Sequence, residues 1–146
     1  MKVMALDIGT TRIGVAVSDP LGITAQPFGV IKRAKNGADL REIAEICSER
    51  TVEVVVIGLP LSLKGHENIS TNEARKVGSD LAKLNPELKI VFQDERFTTA
   101  EAERALIEGG VRRKKRKQVI DQTAAVLILR TWLDRVSDVD IFEDVT

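Results

Sequence analysis

Three acidic positions lie far apart in this chain, each where an α/β domain would carry it toward one point: Asp7, the Asp94-Glu95 pair and Asp121. Asp7 follows the apolar run Val3-Met4-Ala5-Leu6, and Asp94-Glu95 comes just after Ile90-Val91-Phe92. Asp121 lies on a strongly apolar segment that reads as the last long helix. Carboxylates at strand ends, joined by one on the inward face of a helix, suit a divalent cation. Hard ions such as Mg²⁺ (or Mn²⁺) take carboxylate oxygens and leave positions open for phosphate and water. The chemistry such a set would support is phosphodiester hydrolysis.

Each position also has a plainer reading. Asp7 opens Asp7-Ile8-Gly9-Thr10-Thr11-Arg12, where Gly9 would let a nucleic-acid backbone approach the main chain. The same residues could simply satisfy the amides of a turn. Asp19, beside Pro20, reads as a turn residue. Glu95 sits between a strand and a helix start, outside the carboxyl end of a strand, where ligands bind in α/β sheets. It could instead pair with Arg96. Asp121 shares a helical stripe with Ala125, Ile128 and Trp132. A carboxylate on a core-facing stripe is costly unless paired or metal-bound, although a first-turn Asp also favours a helix N-terminus. Ala124 and Ala125 are small enough to let this helix lie close to the sheet and bring Asp121 near Asp7.

The elements that would position these groups are legible in the patterning. Residues 2–8 and 12–18 read as strands joined by Gly9-Thr10-Thr11, an antiparallel hairpin. Residues 23–32 supply a third strand, with Pro27 placing it at an edge or breaking it. Leu40, Ile43, Ala44, Ile46 and Cys47 recur at helical spacing over 38–50. Val52 to Leu59 is a β-branched run with Glu53 its only charge, the pattern of a buried parallel strand. The polar stretch 62–70 reads as a loop. A helix follows from about Thr71, with Ala74, Val77, Leu81 and Leu84 on one face and Asn85-Pro86 as its stop. A strand over 88–93 comes next, then a helix entered at Thr98 or Thr99 and ended by Gly109-Gly110. The last helix runs from about Gln118 to Val136, and 137–146 is an acidic tail. The order βββ-α-β-α-β-α-α predicts an α/β domain over 1–146: a mixed sheet of five strands, β1-β2-β3 as an antiparallel meander, with helices on both faces.

Composition narrows the classes. Lys+Arg and Asp+Glu both number 22 in 146 residues, so the net charge is zero, yet Arg112-Arg113-Lys114-Lys115-Arg116-Lys117 is an unbroken basic run. Such a run reads as a solvated loop and often as a polyanion contact. The single cysteine, Cys47, cannot form an intrachain disulfide and reads as core, in keeping with a reducing compartment. The one histidine, His66, falls in the polar loop and cannot build a zinc site alone. Trp132 reads as core. No run approaches the roughly 20 apolar residues of a membrane span, and no secretory signal pattern is present.

These blocks together resemble the YqgF family, also called RuvX, of the RNase H-like superfamily, whose members are described as pre-16S rRNA nucleases or Holliday junction resolvases. The resemblance runs through nearly the whole chain. Asp7-x-Gly9-x-x-Arg12-Ile13-Gly14-Val15-Ala16-x-Ser18-Asp19 is similar to the opening motif, and Gly58-Leu59-Pro60-Leu61 to the middle signature. Asp94-Glu95-Arg96-x-Thr98-Thr99-x-x-Ala102 resembles the second acidic motif, and Asp121-x-x-Ala124-Ala125-x-x-Ile128-Leu129 the last. The resemblance implies an RNase H-like fold with Asp7, Glu95 and Asp121 as catalytic, metal-holding carboxylates. In RuvC-type resolvases the second acid ends the strand corresponding to Val52–Leu59. Here that end is Gly58-Leu59-Pro60, and the acid comes one strand later as Glu95.

The expectation is therefore a Mg²⁺- or Mn²⁺-dependent endonuclease of the bacterial cytoplasm acting on structured nucleic acid. Its task would be trimming the 5′ end of pre-16S rRNA, resolving Holliday junctions, or both. Arg12, Arg96 and residues Arg112, Arg113, Lys114, Lys115, Arg116 and Lys117 would hold phosphates. The free protein would be a monomer or weak homodimer. One rival is a non-catalytic nucleic-acid-binding factor in ribosome assembly or transcription. Another is an ATPase of the actin and sugar-kinase type, whose phosphate loop Asp7-Ile8-Gly9-Thr10-Thr11 also resembles. That fold needs two such domains, and this chain has the length of one.

Overall fold

The computed structural model describes residues 1–62, 64–95 and 124–136. Strands form where β-branched and apolar runs meet turn residues: β1 is Val3–Ile8, β2 Arg12–Ser18 and β3 Ala25–Lys32. Helix α1 (Ala38–Glu49), strand β4 (Val54–Leu59), helix α2 (Ile69–Leu84) and strand β5 (Lys89–Asp94) follow, and residues 124–136 are helical. The five-stranded sheet has the order β3-β2-β1-β4-β5. β1–β2 and β2–β3 pair antiparallel, whereas β1–β4 and β4–β5 pair parallel. The meander and the mixed sheet thus stand as the sequence suggested. The segments 96–123 and 137–146 lie outside the described residues. They include the anticipated helix after Thr98, the basic run and the acidic tail.

Of the boundaries that differ from expectation by one or two residues, including β4, which begins at Val54 rather than Val52, two have a clear local reason. β3 begins at Ala25, because the Asp19 carboxylate accepts from the amides of Ile23 (2.7 Å) and Thr24 (2.9 Å) and keeps them in the turn. Asp19 is the turn residue its setting implied. α2 begins at Ile69 rather than near Thr71. The Asn68 side chain accepts from the Thr71 amide at 3.0 Å, and the Thr71 hydroxyl accepts from the Asn68 amide at 3.1 Å. This reciprocal cap recruits residues that read as loop. The Thr71 hydroxyl also donates to the Pro60 carbonyl, tying the helix start to the end of β4.

The period-two alternation of the strands divides the core in two. Met4, Leu6, Val55 and Ile57 face α1 and α2, where they meet Ile43, Cys47, Val77 and Leu81. Val3, Ala5, Val54 and Val56 face the other way and pack on Ala125, Ile128 and Leu129 of the 124–136 helix. β1 and β4 are covered on both sides, which is why their runs are nearly all apolar. Cys47 is core as expected. Trp132 is only partly buried, at the edge of the second cluster. Pro27 lies on β3, an edge strand, opposite an irregularity of register between Val15 and Ala16.

Arg33 joins three elements, and no sequence pattern marks it. Its guanidinium donates to Asp39 at the start of α1 (2.9 Å), to the Gly9 carbonyl in the β1–β2 turn (3.1 Å) and to Glu73 of α2 (3.1 Å). The Asp39 side chain is 2% exposed. Burial alone would raise its pKa, but the hydrogen bonds and charge from Arg33 and the neighbouring amides outweigh this and hold it below the ordinary value. A depressed carboxyl pKa contributes stability above the unfolded value and loses it as pH falls through the folded one. Arg33→Ala leaves a buried carboxylate uncompensated, so urea unfolding at pH 7 should show a loss of ~3 kcal/mol. The deficit should shrink below pH 4, where Asp39 is protonated in the unfolded chain. An undiminished deficit at low pH would assign the loss to Arg33 packing instead.

Candidate active site

Asp7 is an odd-numbered residue of β1, so it leaves the sheet on the side of Val3 and Ala5, the side covered by the 124–136 helix. It lies half-buried near the strand end, opposite Gly14 of β2. Glu95 follows directly on β5, and its amide donates to the Leu59 carbonyl at 3.1 Å. Val91, Gln93 and Glu95 alternate onto that same side.

The two acids come from strands that are not neighbours, since β4 runs between β1 and β5. Adjacent strands lie about 4.8 Å apart, so the two side chains start roughly 10 Å from each other. Glu95 bridges the gap by crossing β4 at Gly58. A Cβ at position 58 would collide with Glu95 Oε2, lie 3.2 Å from its Cδ and approach Ile128 Cδ1 to 2.7 Å. The glycine in the middle signature is thus the passage through which the second carboxylate reaches the first.

The electrostatics follow from this placement. Burial, then the charge of Asp7, a hydrogen bond with Asp7 and the charge of Asp94 push the Glu95 pKa up to about 8. Its Oε2 is buried with no hydrogen-bond partner among the described residues. A buried carboxyl oxygen without a donor is costly unless something cationic meets it. Carboxylate oxygens crowded at one point are also a suitable donor set for a hard divalent cation.

The other expected residues divide clearly. Arg12 opens β2 and is half-buried, and its carbonyl accepts from the Gly9 amide at 2.8 Å to close the hairpin. A Cβ on Gly9 would come within 2.7 Å of that carbonyl oxygen, so closure of the hairpin already requires glycine there. Asp94 ends β5, exposed, and adds to the field at Glu95. His66 is exposed in its loop. Asp121, Arg96 and Arg112 to Lys117 lie outside the described residues. The anticipated close approach of the last helix is present, because Ala124 and Ala125 are fully buried. Gln93, not among the expected site residues, holds that helix: its Nε2 donates to the Ile128 carbonyl at 3.0 Å. The alternation Val91-Gln93-Glu95 was its available signal.

Comparison with known proteins gives this geometry a family. The model described as "RuvX: Holliday junction resolvase" matches residues 1–135. The chain belongs to the RuvX family. A relative from Clostridium botulinum (strain Eklund 17B / Type B), named "Putative pre-16S rRNA nuclease", is 43% identical over 137 residues, covering 94% of this chain and 99% of the relative. One of the same name from Lactococcus lactis subsp. cremoris (strain SK11) is 47% identical over 135 residues, covering 91% and 94%. Among solved structures, T. thermophilus RuvC in complex with Holliday junction substrate aligns with a TM-score of 0.55 and 15% identity, covering 88% of this chain and 91% of that one. The Fowlpox virus resolvase in complex with substrate Holliday junction DNA aligns with a TM-score of 0.59 and 12% identity, covering 93% and 99%. The RuvX chain therefore has the RNase H-like fold of these resolvases, and its family is one of nucleases. Among the described residues no helix is long and apolar enough to cross a membrane.

The raised Glu95 pKa makes a prediction for the metal-free protein. A folded pKa above the unfolded 4.5 means that protonated Glu95 favours the fold. That contribution is present at pH 4.5 and below and is lost as pH rises toward about 8. Glu95→Gln should therefore exceed wild type in stability at pH 8 by ~1–3 kcal/mol, with the difference fading toward pH 5. Gly58→Ala displaces the Glu95 carboxyl and should cost ~1–3 kcal/mol at pH 5, with a flatter pH dependence than wild type. Melts across pH 5–8 in EDTA test both; a pH-independent Glu95→Gln effect would count against the close carboxyl pair.

Proposed function

We propose that this RuvX-family chain is a divalent-metal-dependent endonuclease that acts on structured nucleic acid in the cytoplasm. The observation that carries this reading is the meeting of Asp7 and Glu95 over Gly58, with a buried Glu95 oxygen lacking a donor. Asp7, Glu95 and Asp121 would hold Mg²⁺ (or Mn²⁺). When bound, the metal lowers the pKa of the attacking water and stabilises charge on the phosphate oxygens.

The chain's own residues do the positioning. Asp7 is fixed by a strand paired on both sides, and Glu95 by its amide bond to Leu59 at the end of β4. Such anchoring limits the reorganisation left to be done when charge develops in the reaction. Glu95 must give up its proton before it can act as a carboxylate ligand, so cation binding releases a proton. Arg12 stands across the hairpin from Asp7 and would contact a phosphate entering the site. Arg96 and the basic residues 112–117 would hold backbone phosphates beyond it.

The names of the curated relatives favour trimming of the 5′ end of pre-16S rRNA in ribosome biogenesis. The junction complexes among the fold relatives keep Holliday junction resolution in view. Junction resolution needs two symmetric cuts and hence two sites related by a two-fold axis, whereas trimming one RNA end needs one. The reading adopted is the RNA role, with the free protein a monomer or weak homodimer.

A panel of labelled precursor RNAs and DNA junctions, incubated with Mg²⁺ or Mn²⁺, tests it directly. Asp7→Asn, Glu95→Gln and Asp121→Asn should each lower cleavage at least 100-fold while the fold survives, since each removes a ligand of one site. Cleavage that persists in any one of them removes that residue from the site. Binding in EDTA with no cleavage of any substrate would favour the non-catalytic rival. A stable 2:1 protein–junction complex with paired symmetric cuts would overturn the preference for RNA.

A further inference from the structure

On the face of the sheet opposite the carboxylates, where α1 and α2 pack, lies a cavity of about 740 Å³. It begins at Thr10 and Thr11, in the same hairpin turn that leads from Asp7 to Arg12. Its rim carries Lys32 at the end of β3, Lys35 in the connection to α1, and Lys76 on α2. All three lysines are exposed, and none is ion-paired among the described residues. The acids in this wall are mostly engaged: Asp39 and Glu73 are bound by Arg33, leaving Asp80 to face the lysines. The first turns of α1 and α2 also line the cavity and add partial positive charge.

We propose that this groove binds a second stretch of phosphodiester backbone, the continuation of the strand that reaches the carboxylate site over the Gly9–Arg12 hairpin. The inference rests on the nuclease reading above and extends it to the opposite face of the sheet. The charges decide the class of ligand. Three ammonium groups borne by β3, by its connection to α1 and by α2 line the wall of one groove. They suit an extended polyanion, which lysine contacts as a point charge without reading sequence. Ile69, 87% exposed at the lip of the groove, offers an apolar surface to a sugar or base. The Arg33 contacts hold the floor of the groove and the hairpin in one rigid unit. A strand bound there is thus held in register with Asp7.

Equilibrium binding to a labelled duplex with a single-stranded flap, in EDTA and as a function of salt, tests the groove. The protein carries Glu95→Gln throughout so that no cutting intervenes. Lys32→Ala/Lys35→Ala/Lys76→Ala should lower the log–log salt slope by about 2–3, at about 0.7–0.9 per phosphate contact. Affinity at 0.1 M salt should fall at least tenfold. The control Lys2→Ala/Lys83→Ala/Lys89→Ala removes equal charge from the opposite end of the parallel strands and should change the slope by less than about 1. Equal effects from both triples would mean that only net charge matters and would overturn the groove. An unchanged slope in the groove triple would also overturn it, while the nuclease reading stands if the unsubstituted enzyme still cuts. Full competition by a mononucleotide would replace the backbone contact with a small-molecule site. Failure of the unsubstituted protein either to bind or to cut any substrate would remove the nuclease reading itself, and the groove with it.

Discussion

The site depends on a glycine that leaves a strand uncovered. Asp7 and Glu95 belong to β1 and β5, and the intervening β4 would normally raise a side chain between them. Position 58 raises none, and the Glu95 carboxyl occupies the vacant space against Ile128. This offers a physical account of the departure from the RuvC pattern. A carboxylate at the end of β4 would project into the region that Glu95 reaches from one strand further out. In this chain the carboxyl borne by β5 arrives over the end of β4, in the space that Gly58 leaves open. Gly58 and Glu95 therefore form a coupled pair.

Placing like charges in a partly buried position works against folding, and the surrounding structure must hold them there. β1 and β4 do this with apolar side chains packed on both faces. β5 contributes through Gln93, which fastens the 124–136 helix by a side-chain bond to the Ile128 carbonyl. That helix closes the apolar floor below the carboxyls with Ala125, Ile128 and Leu129. Among the described residues, part of the burial that raises the Glu95 pKa comes from Ile128, a residue of plain hydrophobic patterning.

That division explains how much was legible beforehand. The strands, their order along the chain and the Asp7-to-Glu95 pairing were open to reading because runs such as Val54 to Leu59 bury on both faces and acids at strand ends stand out. The start of α2 was hidden because Asn68 and Thr71 are polar, and polarity in a loop and in a reciprocal cap looks alike until the helix is seen. Arg33 was hidden for a different reason. It is one cation among many, and its importance comes from three partners at positions 9, 39 and 73 that only the fold collects. The role of Gly58 was half visible: its motif could be matched, but the void it creates exists only in three dimensions. Asp121 carries its expectation from the sequence alone.

Arg33 also secures the hairpin that lies between the two faces of the molecule. The hairpin between β1 and β2 holds Asp7 at its start and Thr10 and Thr11 at its turn, so its conformation affects the carboxylate site on one side and the lysine-rimmed groove on the other. The bond from Arg33 to the Gly9 carbonyl fixes that turn against α1 and α2. The same guanidinium pairs with both Asp39 and Glu73 and so offsets part of the negative charge that would oppose a polyanion at Lys35 and Lys76. A zero net charge is therefore no bar to nucleic acid. What a backbone meets is the local arrangement, and here carboxyl oxygens are gathered where a cation is wanted while positive charge is left free where phosphate would pass. The sheet separates the two, and its hairpin borders both.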